Sequence, residues 1–366
     1  MKKILLFSAA MFLFIAGIYS QATFETGAIG VDINEYGKIE PFNSAGIYQM
    51  WRTSILVGTS PTAVFDYQND AEQLEPTVLV TEPLLSDYEI YGAYDNTYSG
   101  APPAVIVKLN AYGWNNGGYI IVKFNIQNAE MTTMDAMAGL DIIPFIDEED
   151  GYDSVSYNSA QEVIRIHRGP QTNIGLRLLS TSLSSLYSFE YYDDYYVDSD
   201  YWTWMNYGSV QPLYASNTAN GSVSISSQAP VNLAPGETFD VFYAIALGAD
   251  EQEMLSNISA AVQKYEELFV SVDEIGAVPK DLQLGYNYPN PVKSSTTFTY
   301  QLPSDGFVSL KVYDATGNEV ATLVNSEQSA GTYSIPYRAE NLASGMYCYT
   351  LRFNNEVRSN KMFLIK

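Results

Sequence analysis

The stretch "YNYPNPVKSSTTFTYQLP", Tyr286–Pro303, changes character halfway along its length. Pro289 and Pro291 bracket Asn290. Each proline fixes φ, lacks an N–H and holds the residue before it extended. From Thr296 onward apolar and polar residues alternate, so Phe298, Tyr300 and Leu302 share one face at the period of a strand. The same period recurs downstream. "VSLKVYD" groups Val308, Leu310 and Val312, and "GTYSIPY" groups Tyr333, Ile335 and Tyr337. "LASGMYCYTLRF" groups Tyr347, Tyr349, Leu351 and Phe353, with Gly345 releasing the chain into the strand and Cys348 in phase with Arg352 on the less buried face. "DATGNE" is a turn in which Gly317 is free to take a positive φ, and "KMFLIK" closes as a short strand between Lys361 and Lys366. Together they predict a compact immunoglobulin-like sandwich of about seven strands.

Taken in order, "YNYPNPVKSSTTFTYQLP", "VSLKVYDATGNEVATLV", "AGTYSIPY", "LASGMYCYTLR" and "NKMFLIK" resemble the type A C-terminal sorting domain of the type IX secretion system, over residues 284–366. The positions that carry the resemblance are Tyr288, Pro289, Asn290, Pro291, Gly317, Gly331, Gly345, Tyr347, Lys361 and Lys366. The chain departs from the family's habit at Val292, Lys293 and Ser294, where phenylalanine, asparagine and proline are common. The middle portion is also similar to the immunoglobulin-like module of flagellar-hook-capping proteins. The sorting resemblance implies export in two steps, first across the inner membrane and then through an outer-membrane translocon that recognises the folded domain. It further implies that the domain is removed and the cargo left on the cell surface or released. The prolines are expected to act as a stiff strap that sets the angle of the domain's entry.

The other end fits that route. "MKKILLFSAAMFLFIAGIYSQA" has a basic start at Lys2 and Lys3, an apolar run from Ile4 to Gly17 and small Ser20 before Gln21. The run is shorter than the ~20 residues a membrane helix needs, so residues 1–20 read as a signal peptide. No later stretch is apolar enough to span a bilayer. Between Gln21 and Val278 there are 35 acidic and 8 basic residues, whereas Pro279 to Lys366 holds 7 acidic and 8 basic. This break places a boundary near residue 279, and the polar "VSVDEIGAVPKDLQL" supplies a linker, residues 271–283, behind a cargo domain at 21–270. The acidic part would be repelled by nucleic acid and by anionic membranes. A single cysteine, Cys348, permits no internal disulfide, so stability must come from burial.

Within the cargo, "AIGVDI", "WRTSILVG", "PAVIVKLNAYGW", "GGYIIVKFNIQN", "AGLDIIPFID", "QEVIRIHR" and "GSVSISS" read as strands between turn residues. One helix stands out, "DEQEMLSNISAAVQKYEELF" from Asp250. Asp250 and Glu253 form a capping box, and Leu255, Ile258, Val262, Tyr265 and Phe269 share a face. It follows "GETFDVFYAIAL", a half-buried strand. The expected fold is all-β: a large sandwich with one C-terminal helix, then the small immunoglobulin-like sandwich. Residues 24–269 are also similar to a β-rich module that recurs in large secreted bacterial proteins.

Chemistry is scarce in the cargo. His167 is the only histidine, its neighbours Arg165 and Arg168 oppose its protonation, and no metalloprotease, serine-hydrolase or cysteine–histidine motif is present. The acidic run "DEEDGYD" offers calcium candidates Asp147, Glu149, Asp150 and Asp153, although the alternate-ligand pattern ahead of Gly151 fails at Ile146. Otherwise it is a solvated acidic turn. The segment "YSFEYYDDYYVDSDYWTWMNYG", Tyr187–Gly208, reads as a strand pair around a polar turn with Trp202 and Trp204 on one buried face. Alternatively, Tyr201, Trp202, Trp204 and Tyr207 form an exposed platform for a surface polysaccharide. A carboxylate-based glycosidase needs two facing acids, and the sequence selects no pair. The expectation is therefore a secreted, non-catalytic binding or structural protein, handled by the type IX translocon and holding no cofactor beyond a possible calcium ion.

Overall fold

The structure is a computed structural model that describes residues 21–270, 282–285, 287, 290–293, 295–339, 342–354 and 356–365. The described chain divides into two compact units, one ending at Val270 and the other beyond it. Both are built from antiparallel strands, as the alternating text requires. The signal-peptide reading and most of the linker reading fall outside the described residues.

In the first unit two nine-stranded sheets face each other. One runs Ala22–Glu25, Ile29–Ile33, Ile39–Asn43, Met50–Ser60, Met134–Pro144, Ser222–Gln228 and Leu183–Glu190, with two short strands attached at its middle. The other runs Leu213–Ala215, Ser154–Asn158, Val163–His167, Asn173–Leu178, Thr238–Gly248, Tyr119–Asn128, Val105–Gly113, Tyr88–Asp95 and Glu72–Leu79. Alternate residues from both sheets meet in one core, among them Val31, Ile55, Leu140, Leu109, Val122, Leu176 and Tyr243. The seven strands read from the sequence all form.

The strand Thr238–Gly248 is buried on both faces from Val241 on, where the sequence suggested only one. Val241, Tyr243, Ile245 and Leu247 enter the main core, while Phe242, Ala244 and Ala246 meet the helix Glu251–Tyr265 through Met254, Ile258 and Ala261. Asp250 caps that helix, accepting from the Glu253 N–H at 2.9 Å, and Glu253 accepts in return from the Ala249 N–H at 2.8 Å. The chain can turn this sharply because residue 248 is glycine. A Cβ there would stand 2.3 Å from the Met254 nitrogen.

A second helix, Asp198–Met205, lies where a strand was expected. It covers the outer face of the first sheet and closes a small second core with Leu56, Met137, Val223, Ile225 and Tyr195. Only Tyr201 and Met205 are fully buried on it, and that four-residue spacing is its sole helical signal.

The C-terminal unit packs a three-stranded sheet (Gln283–Leu284, Ser295–Leu302, Gly331–Arg338) on a four-stranded one (Glu319–Gln328, Gly306–Tyr313, Gly345–Phe353, Glu356–Leu364). Its core contains Phe298, Tyr300, Leu302, Val308, Leu310, Val312, Tyr347, Tyr349, Leu351 and Phe353, the inward sets that alternation assigned. Cys348 is half-buried on the opposite face.

Candidate functional site

The entry segment of the C-terminal unit is fastened to its last strand. Pro291 has no N–H to offer a neighbouring strand, and the side chain of Asn290 supplies the missing pairing. Its Nδ2 donates to the Lys361 carbonyl at 3.1 Å and its Oδ1 accepts from the Phe363 N–H at 2.8 Å. The backbone then takes over: Val292 N donates to Phe363 O at 2.7 Å, and Ile365 N donates to Val292 O at 2.8 Å. Val292 is fully buried in the core, so the first of the three positions that depart from the family's habit fills an apolar socket. The edge of the strand Glu356–Leu364 is thereby covered. Deeper in, Tyr349 donates to Gly285 O and accepts from Asn287 N, both at 2.9 Å, tying the entry to the centre of the sheet.

The other sorting positions fall at turns and strand starts. Gly317 takes a φ of 87° in a turn whose Asp314 carboxylate is held low, to about 2, by hydrogen bonds from Thr316 and Asn318. Gly331 and Gly345 each begin a strand, Tyr347 is buried with its hydroxyl on the Ala343 carbonyl, and Lys361 is exposed. Tyr288, Pro289 and Lys366 lie outside the described residues.

In the first unit the four residues of the alternative platform reading do not share an exposed face. Tyr201 is 1% exposed, and its hydroxyl donates to Asp141 at 2.7 Å. Trp202 and Trp204 are two positions apart on a helix, so they point to different sides instead of sharing a strand face, and both are half-buried. Phe189 stacks on Trp204 at 4.2 Å. Tyr207 alone of the four is exposed.

Beneath these rings lies a polar cluster that sequence reasoning missed. The Arg52 guanidinium pairs with Asp141 at 2.5 Å in the buried layer under Tyr195, which hydrogen-bonds to both. Arg52 also donates to Gln68 at 2.8 Å. The signal was available: Arg52 and Asp141 are single charges within the apolar strands "MWRTSILVG" and "AGLDIIPF", and such charges are buried only when paired. Nearby, burial pushes the Asp66 carboxyl up to about 7, against opposing hydrogen bonds from Asn69 and Gln68.

The calcium candidates are drawn to different partners. Asp147 accepts from Gln49 and Thr172, each at 2.9 Å, while Arg168 binds Glu149 at 3.1 Å and the buried Asp153 at 3.2 Å. Asp150 is exposed. Among the described residues no group of three or more histidine, cysteine, aspartate or glutamate side chains is arranged to hold a metal ion. His167 is half-buried on its strand, its basicity reduced by burial and by Arg165, and Arg165 itself is paired with Glu251 at 2.7 Å.

Comparison with known proteins bears on both units. No curated protein matches the chain. Among solved structures, a bacterial glucoamylase complexed with acarbose superimposes with a TM-score of 0.52 at 11% identity, over 68% of this chain and 35% of that one. A putative aldose 1-epimerase from Escherichia coli K12 gives 0.36 at 10% identity, over 62% and 98%. An aldose epimerase homologue from C. elegans gives 0.39 at 7% identity, over 63% and 99%. The glucoamylase likeness bears on the fold alone, and this chain spans about a third of that enzyme. Residues 287–366 fit the family model of the secretion system C-terminal sorting domain. With its seven strands, fastened entry and turn glycines in register, the second unit of this chain is a C-terminal sorting domain of the type IX secretion system.

Proposed function

We propose that the first unit is the cargo of this export route and works at or beyond the cell surface as a non-catalytic binding or structural module. The observation that carries the reading is the fate of its buried acids. Asp141 is held by Arg52, Tyr195 and Tyr201; Asp153 by Arg168; Asp66 by the N–H groups of Gln68 and Asn69. A glycosidase needs two carboxyl groups facing one bond across ~5–9.5 Å of open cleft, one of them kept protonated. Asp66 is protonated enough, but it is 1% exposed inside a tight turn that its own oxygens cap. These acids support the fold.

The test pairs location with activity. The full chain and a version ending at Val270 are produced in a cell with a working type IX system. Each is then traced through periplasm, surface and medium. The full chain should leave the cell and the shortened one remain in the periplasm. The exported protein should release no reducing sugar from a panel of plant and bacterial glycans. Reducing sugar produced by the full chain and lost in an Asp66→Asn variant would sink the non-catalytic reading.

A further inference from the structure

We propose that a cleft on the outer face of the first sheet, centred on Trp51, binds a neutral saccharide. The cleft encloses about 410 Å³, within the ~300–1,000 Å³ common for small-ligand sites. Trp51 and Phe145 form two walls whose rings meet at 72° with centroids 5.6 Å apart, Tyr191 forms a third, and buried Ile143 is the floor. Exposed Asp150 and Asn220 stand at the rim. Trp51 is 53% exposed, whereas the other three tryptophans, Trp114, Trp202 and Trp204, are half-buried. The Lys38 ammonium, outside the cleft, sits 4.7 Å over the indole and braces the ring. An aromatic corner with one carboxylate and one carboxamide suits a pyranose: its C–H face packs on the ring, and its hydroxyls reach the polar rim.

The two walls are tied to each other and to the fold by backbone and side-chain contacts. Asp147, Glu148, Gly151 and Tyr152 all hold positive φ, between 54° and 85°, so this rim is locked in an uncommon backbone path. Gly151 lets the rim touch the opposite wall. A Cβ there would stand 2.5 Å from the Ala219 Cα, and Tyr152 N donates to Thr218 O at 2.9 Å. Glu190 secures that second wall by accepting from the hydroxyls of Tyr214, Ser216 and Thr218, which hold its carboxyl below the usual range against the opposing effect of burial. Arg168 ties Glu149 to Asp153 beneath the first wall. Preorganisation of this kind spares a ligand the cost of ordering its site. The excess of acidic residues across the unit selects against uronates and sulfated sugars.

The proposal rests on the non-catalytic reading only in expecting the sugar to be recovered intact. Isothermal titration of the purified full chain with cellotetraose, xylotetraose and chitotetraose, and with tetragalacturonate as the acidic control, tests it. At least one neutral probe should bind, and the acidic probe should not. Trp51→Ala should weaken binding about tenfold or more, and Asn220→Ala by less. Both side chains are at the surface, and far-UV circular dichroism checks that the variants fold. No binding by any neutral probe, preference for tetragalacturonate, or unchanged binding by Trp51→Ala and Tyr191→Ala would each overturn the site. A probe that binds through Trp51 but is returned cleaved would uphold the cleft and refute the non-catalytic reading instead.

Discussion

Arg52 and Asp141 face each other at 2.5 Å across neighbouring strands of the first sheet, both essentially withdrawn from solvent. Two charges removed from water cost several kcal/mol each, and the pair is supported by Tyr195 and Tyr201, which donate to Asp141, and by Gln68, which accepts from Arg52. Removing one partner strands the other. Arg52→Met or Asp141→Leu should each destabilise the first unit by about 3–5 kcal/mol, whereas the double replacement should cost clearly less than the two added together. Urea unfolding of the four proteins measures this, and additive losses would show that the pair is not coupled.

The acid buried beside that cluster makes stability depend on pH. Asp66 is held at about 7 in the folded chain, mainly by burial, against about 3.9 for an unfolded aspartate. The folded state therefore keeps its proton over a range in which the unfolded chain has lost it. The stability linked to this group is complete below about pH 4 and declines as pH rises toward 7, by at most about 4 kcal/mol. Burial shifts Asp70, Asp153 and Asp198 in the same direction. Asp66→Asn stays neutral throughout and should flatten the decline. Urea midpoints at several pH values decide it, and parallel profiles for the two proteins would remove Asp66 as the cause.

The tight seat of the helix Glu251–Tyr265 gives a third prediction. Met254 is fully buried over Gly175 and Gly248, where a Cβ would stand 2.3 Å from its sulfur and its backbone nitrogen respectively. Met254→Ala leaves a cavity and should cost about 2–5 kcal/mol. Gly175→Ala should cost less than Gly248→Ala, because the thioether is flexible and the helix backbone is not. Thermal melts rank the three, and equal losses for the two glycine variants would contradict the geometry.

The sequence discloses what period and punctuation encode, and little that depends on distant pairing. Alternation named the inward residues of the sorting unit because each strand there has one wet face. It under-read Thr238–Gly248, since nothing local says that a helix will return over its outer face. It read the start of Tyr187–Gly208 as strand, which it is up to Glu190, and misread Asp198–Met205, where eight helical residues offer one i,i+4 pair and the dense tyrosines imitate strand text. Asn290 was legible as part of a stiff entry, but its bonds to Lys361 and Phe363 join residues more than seventy positions apart. The Trp51 cleft was invisible for the same reason: Trp51, Phe145, Tyr191 and Asn220 come from four separate segments.

That long-range fastening supports the last prediction. Asn290 covers the edge of the final strand with two side-chain hydrogen bonds, next to a Pro291 that has no N–H to donate. Asn290→Ala removes both and should destabilise the sorting unit by about 1–2 kcal/mol, leaving the first unit untouched. Asn290→Asp can still accept from the Phe363 N–H but cannot donate to the Lys361 carbonyl, so it should fall between the two. Hydrogen exchange reads the effect at one atom. The Phe363 amide should exchange faster in the alanine variant and nearly as slowly as wild type in the aspartate variant. If an exposed last edge misleads the translocon, the secreted fraction should drop in the same order. An unaltered Phe363 amide in Asn290→Ala would show that the side chain does not hold the strap, whatever secretion does.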